Sequence, residues 1–195
     1  MKKPNYLLVI ATLVAAAAVP LSATTVIPPT FEQLVDQAEV IFQGTVTKTD
    51  SQWIGEGDQR RIVTYVTFHV KDALKGSPGK NFTMRQLGGT VDGETMMIDD
   101  APVFNVGDED ILFVENNGSQ VVPLVGIMHG RFHVRKDDAG RELVTTNEDQ
   151  PLNDVSRLGH EETSAVTAAA LSPAAFKSAI EGRLRQSGAP IHQNP

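Results

Sequence analysis

The sequence predicts a mainly β, antiparallel domain, a small barrel or sandwich, with a short helix before it and an amphipathic helix after it. Three observations carry this. Between residues 40 and 146 apolar and polar side chains alternate in short runs, the period of half-buried strands. Turn chemistry separates the runs, at Gly55-Glu56-Gly57-Asp58, Gly88-Gly89, Gly107-Asp108, Asn117-Gly118 and Asp137-Asp138-Ala139-Gly140, with the close spacing of all-β domains. In the part of the chain expected to fold, helical periodicity is confined to two segments, near 31–38 and 172–188.

The elements follow in chain order. Lys2 and Lys3, the apolar run Leu7 to Val19, Pro20, and then Leu21-Ser22-Ala23 have the three-part form of a secretory signal peptide, expected to be cleaved after Ala23. The run is shorter than the roughly 20 apolar residues of a membrane-spanning helix. Residues 24–29 read as an extended leader. Thr30-Phe31-Glu32-Gln33 matches a capping box and opens a helix whose apolar stripe is Phe31, Leu34, Val35 and Ala38. From Glu39 the period becomes two, with Val40, Phe42, Gly44 and Val46 on one face, and Gly44 marks a bulge or bend. Arg61 to Lys71 alternates again. Further strands are expected at Phe82 to Leu87, Glu94 to Ile98, Val103 to Val106 and Ile111 to Val114. Asn117-Gly118 predicts a tight hairpin into Val121 to Ile127. Arg131 to Arg135 and Glu142 to Thr146 complete a β domain over residues 30–146. Residues 147–171 form a polar, then Ala-rich, linker expected to wrap the surface or be partly disordered. Ser172-Pro173 starts the last helix, with Phe176, Ile180 and Leu184 as its stripe, and Gly188 ends it. A tail, 189–195, is expected to fray.

Composition narrows the function classes. The 195-residue chain holds 17 Lys and Arg against 24 Asp and Glu, a net charge of −7, which becomes −9 when Lys2 and Lys3 leave with the signal. Such a chain does not suit non-specific binding to nucleic acid or anionic lipid. There is no cysteine, so the domain is disulfide-free and must rely on its apolar core.

Catalytic motifs are not evident. No phosphate loop, no G-x-S-x-G turn and no zinc-protease His pair is present. Two weak binding candidates remain. His129, Arg131, His133 and Arg135 would share one strand face, read either as a solvated surface or as a stripe for anions and carboxylates, since arginine presents a bidentate fork. Trp53, flanked across a loop by Arg60 and Arg61, reads either as a ring closing the end of the domain or as an interface anchor. Copper bound by Met84, Met96, Met97, Met128 and His129 is disfavoured, because Met96 and Met97 face opposite ways on a strand. No cofactor or metal is expected.

Three fragments carry a resemblance: Ala38-Glu39-Val40-Ile41-Phe42-Gln43-Gly44-Thr45-Val46; Tyr65-Val66-Thr67-Phe68-His69-Val70 with Leu74-Lys75-Gly76; and Gly107-Asp108-Glu109-Asp110-Ile111-Leu112-Phe113-Val114. Together they resemble a group of exported bacterial proteins of unassigned function, over residues 30–135. More remotely they are similar to netrin-like modules, including tissue inhibitors of metalloproteinases. The resemblance implies an OB-like β-barrel with helices packed on it. In those inhibitors a disulfide-tied N-terminal cysteine meets the protease zinc; here the expected mature start is Thr24, so no inhibitory residue carries over. The sequence therefore predicts an exported, non-enzymatic binding module acting on another exported protein, with a metalloprotease as the partner the resemblance suggests. An enzyme with an unfamiliar site and a structural envelope protein are the alternatives.

Overall fold

The first helix, α1 (Phe31–Gln37), begins where the capping box places it. The Thr30 hydroxyl accepts from the Gln33 N–H at 3.3 Å, and the Gln33 side chain accepts from the Thr30 N–H at 2.9 Å. At its other end Lys75 Nζ donates to the carbonyls of Val35 and Asp36, a cation on the last turn's unpaired acceptors. In this computed structural model the described residues are 28–160 and 169–188. The predicted signal peptide, leader residues 24–27, linker residues 161–168 and the tail lie outside them.

The strands are β1 (Val40–Ile54), β2 (Arg61–Lys75), β3 (Asn81–Leu87), β4 (Gly89–Val91), β5 (Glu94–Met96), β6 (Glu109–Val114), β7 (Arg131–Lys136) and β8 (Glu142–Thr146). Six of them form one antiparallel sheet in the order β3-β2-β1-β6-β7-β8, and β4 pairs with β5 as a separate small hairpin. The second helix, α2 (Pro173–Ser187), has Ser172 as its N-cap and Gly188 as its left-handed C-cap.

Both faces of the sheet are buried around the first half of β1 and at β6 and β7, which corrects the half-buried reading there, while Thr47 to Asp50 further along β1 are exposed. On one face α1 and α2 pack over Ile41, Ile111, Phe113, Phe132, Val134 and Val144. On the other, concave face lie Phe42, Val46, Val66, Phe68, Met84, Leu112 and Val114. The eight phenylalanines divide between the two cores. Phe31, Phe113, Phe132 and Phe176 gather on the helix side, with Phe132 and Phe176 4.9 Å apart. Phe42, Phe68, Phe82 and Phe104 gather on the concave side, with Phe42 and Phe68 edge to face at 5.5 Å. Burial on both faces explains why Ile111 to Val114 is apolar without alternation.

The β1–β2 ladder carries register shifts at Ile41/Phe42, Gln43/Gly44 and Val46/Lys48. Bulges bend a strand and increase its twist. Gly44 is needed at one of them, because a Cβ there would lie 2.9 Å from the His69 carbonyl and 3.0 Å from the Phe42 ring. The bulge at Thr47 reverses the alternation. Val46 faces the concave side opposite Phe68, and beyond the bulge Thr49 and Ser51 face it opposite Val66 and Thr64. The strand thus continues seven residues past Thr47, where the sequence period breaks.

Two expected elements differ. Val103 to Val106 is irregular, held by the Gly107 N–H on the Val46 carbonyl and the Val46 N–H on the Asp108 carbonyl. Asn117-Gly118 makes no strand hairpin, because Asn117 turns across to β3, accepting from the Arg85 N–H and donating to the Thr83 carbonyl, both at 2.9 Å. The segment after it bonds the Leu87 N–H through the Val121 carbonyl and returns to β6 at Leu124. It therefore spans from β6 to the exposed edge of β3 without completing a ladder. Residues 147–160 run over the opposite edge as a largely irregular segment, exposed or half-buried and pinned at one point: Leu152 is buried in the helix-side core and, with Leu171, bonds Val144 of β8. Both sheet edges are thus covered, which blocks strand addition there.

Candidate functional site

The concave face opens at one end into a cleft of about 450 Å³. Its floor is Thr64 and Val66 of β2 with Gln86 of β3, and Thr49 and Ser51 of β1 form one wall. The β4–β5 hairpin supplies Thr90, Thr95 and Met96 above, and residues 97–104 close the other side with Met97, Ile98, Val103 and Phe104. The Gly88-Gly89 turn makes this enclosure sterically possible. Gly89 has φ +133°, and a Cβ there would lie 2.3 Å from Thr64 Oγ1 and 2.6 Å from Ser51 Oγ. Only glycine lets the backbone pass over that hydroxyl pair.

The cleft has two properties that bear on chemistry. None of its lining residues is ionisable. Its mouth is apolar and open: Met97 is 84% exposed and Val103 74% exposed, against the usual burial of such side chains. Deeper down, the polar groups are ordered. Ser51 Oγ and Thr64 Oγ1 are 2.8 Å apart, Thr64 Oγ1 donates to the Gly88 carbonyl at 2.6 Å, and Gln86 Nε2 donates to the Pro102 carbonyl at 3.2 Å.

Behind the Phe104 wall lies a buried charge network. Asp110 is fully buried and Arg131 is 3% exposed. Arg131 donates through Nε to Asp110 Oδ2 at 3.1 Å, through Nη1 to the Val103 carbonyl at 2.7 Å and through Nη2 to Asp108 Oδ2 at 2.9 Å. His133 Nδ1 is 2.7 Å from the other Asp110 oxygen. The Arg131 guanidinium also lies 4.1 Å from the centre of the Phe104 ring. Register brings these groups together, since β6 pairs Asp110 with His133 and Leu112 with Arg131. Burial pushes the Asp108 carboxyl up, but the Asn105 N–H and the Arg131 guanidinium outweigh it and hold the group below its ordinary value. The network thus braces Val103 and Phe104, the wall of the cleft, from behind.

The residues singled out from sequence fall in three places. Arg131 and His133 share a face as expected, but that face is interior; the solvated-surface reading fails because the concave side of the sheet is covered by residues 101–108. The anion-stripe reading fails at Arg131 because each nitrogen of its guanidinium already has an acceptor within the protein. Arg135 is half-exposed and paired with Asp149. His129 is not on the strand at all but in a 3-10 turn, Ile127–Gly130, beside Pro28 and Pro29. Trp53 sits half-buried near the end of β1, with the Arg60 guanidinium 3.9 Å from its ring centre, while Arg61 is exposed. Neither Trp53 nor the two arginines line the cleft. Sequence reasoning missed Gln86, Ser51 and Thr64; the clue was the Gly88-Gly89 pair, a mark of close backbone approach. Among the described residues no group of three or more His, Asp or Glu side chains is placed to hold a metal ion, and no helix is long and apolar enough to cross a membrane.

No protein-family model, no curated protein and no solved structure matches this chain.

Proposed function

We propose that the protein is an exported, non-enzymatic binding module, and that it takes an apolar segment of another exported protein into the cleft between β1, β3 and the β4–β5 hairpin. The observation that carries this reading is the cleft itself, concave, mostly apolar, rimmed by exposed Met97 and Val103, and lined by no group able to act as a general acid or base. The OB-like character of the fold belongs to the same proposal. It is supported by the bulged β1–β2 pair, by β1 pairing with both β2 and β6, and by the 115–124 segment that reaches from β6 to β3. Export rests on the signal pattern of residues 1–23. A metalloprotease partner rests on the remote resemblance alone.

The test is a photo-reactive amino acid placed at Met97 in the protein expressed in its own host, with the same group at Glu181 on α2 as control. A protein adduct from position 97 and none from 181 supports the reading. No adduct at 97, or equal adducts at both, overturns it.

A further inference from the structure

Charge is distributed unevenly around the cleft. Between Arg85 and Arg131 the chain has no lysine or arginine, but eight aspartates and glutamates. Four of these border the cleft: Asp92 and Glu94 at the tip of the β4–β5 hairpin, and Asp99 and Asp100 in the turn after Ile98. Each is within two residues of one that lines the cleft, namely Thr90, Thr95, Ile98 or Ala101, so its backbone lies no more than about 8 Å from the lining. All four are exposed, and among the described residues none of them has an ion pair or a side-chain hydrogen bond. Asp92 and Asp100 hold left-handed turn positions, which suit aspartate for conformational reasons; Glu94 and Asp99 do not. The cations of the flanking strands stand behind the floor. Lys48, Arg61 and Arg85 are an odd number of residues from Thr49, Thr64 and Gln86, so they occupy the opposite face of the sheet. Lys48 is also paired with Asp50. What approaches the mouth therefore meets the exposed Met97 and Val103 side chains set among carboxylates that have no counter-charge.

From this we infer that the segment taken into the cleft is cationic at its ends: an apolar stretch of an exported protein flanked by lysine or arginine. The apolar stretch fills the cleft, where no lining residue is ionisable. The flanking cations stay in water over the rim, near Asp92, Glu94, Asp99 and Asp100. Neither partner of such a pair is buried, so little desolvation opposes it. One exposed pair adds little, but four carboxylates of one sign act together and also steer the encounter. An anionic flank would meet like charge at the same place, so the rim excludes as well as attracts. This inference rests on the reading of the cleft as the binding surface and names the chemistry of the partner.

The experiment uses three fluorescent peptides with one apolar core, Leu-Phe-Val-Leu, flanked on each side by two lysines, two serines or two glutamates. Each is titrated into the full mature chain by fluorescence anisotropy. At low ionic strength the lysine-flanked peptide is expected to bind about tenfold more tightly than the serine-flanked one, the sum of a few weak exposed pairs, and the glutamate-flanked peptide more weakly than either. The spread should narrow several-fold in about 1 M salt, where the screening length is about 3 Å. The rim variant Asp92→Asn/Glu94→Gln/Asp99→Asn/Asp100→Asn should bind the lysine and serine peptides within about twofold of each other. A control with the same change in net charge, Glu32→Gln/Asp138→Asn/Glu142→Gln/Glu148→Gln, removes exposed carboxylates on α1 and at the β8 end of the sheet, and should keep the wild-type preference. A wild-type preference for lysine over serine below about threefold, a rim variant that keeps the preference, or a control that loses it as fully overturns the inference. Equal binding of all three peptides does so while leaving the cleft standing as an apolar docking site, whereas binding of none removes the cleft reading and the inference together. The wild-type comparison stands even if a variant does not fold.

Discussion

Replacing Arg131 with methionine removes the cation from a site where one of its partners, Asp110, cannot reach water. Asp110 is fully buried and Asp108 is 18% exposed at its side chain, so Arg131→Met leaves one carboxylate facing only His133 and another half-compensated. Three donor contacts are lost with it, to Asp110, Asp108 and the Val103 carbonyl, together with the contact on the Phe104 ring. Removing one partner of a buried ion pair costs about 3–5 kcal/mol, because the remaining charge stays desolvated. Domain stabilities are about 5–15 kcal/mol, so this one change consumes a large share of the total. Urea denaturation of the mature chain measures it: the midpoint should fall with little change in slope, the mark of altered stability rather than altered denatured-state compactness. The companion is Arg131→Met in an Asp110→Asn background. Since the carboxylate is then neutral, the arginine should matter less there, with a coupling of about 2 kcal/mol between the two sites. A cost below about 1 kcal/mol for Arg131→Met, or strict additivity with Asp110→Asn, would refute the assignment of the network as a buried brace.

Other expected outcomes are simpler to state. Gly89→Ala forces a Cβ onto the Ser51–Thr64 hydroxyl pair at a φ of +133° and should cost about 2 kcal/mol or more by thermal unfolding. Phe176→Ala empties the meeting point of three other rings in the helix-side core and should cost about 3–5 kcal/mol, whereas Ser172→Ala, the loss of one N-cap bond, should cost about 1 kcal/mol. The folded Asp108 carboxyl titrates below its ordinary 3.8, so its contribution to stability is fully present above about pH 5 and is lost as pH falls through the folded value. An acid titration of the urea midpoint should therefore decline below pH 4, and Asp108→Asn should flatten that decline.

What was legible in the sequence was local. Thr30 and Gln33 are three residues apart, and Ser172 precedes its helix directly, so their caps could be read without knowing the fold. The alternation in β2 and the apolar stripe of α2 were equally plain. What was not legible depended on register or on one atom crossing a gap. The Thr47 bulge shifts β1 out of phase, so period-two reading ends there although the strand runs to Ile54. Asn117-Gly118 has the composition of a hairpin, but the Asn117 side chain is engaged by a strand more than thirty positions away. Arg131 and His133 were correctly placed on one face; which way that face points depends on Asp110, some twenty residues earlier, and on the 101–108 segment that covers it. The cleft draws its lining from β1, β2, β3, the β4–β5 hairpin and the segment after it, and no linear pattern marks such a convergence. Only the Gly88-Gly89 pair hinted that a backbone must pass close to something there.

The most direct test of the cleft as the binding surface is methyl NMR on the mature chain labelled at methionine. Met96 and Met97 line the cleft and Met128 does not. Titration with a short apolar peptide should shift the Met96 and Met97 methyls together, saturably, and leave Met128 in place. Unmoved Met96 and Met97 resonances, or a shift led by Met128, would contradict the account.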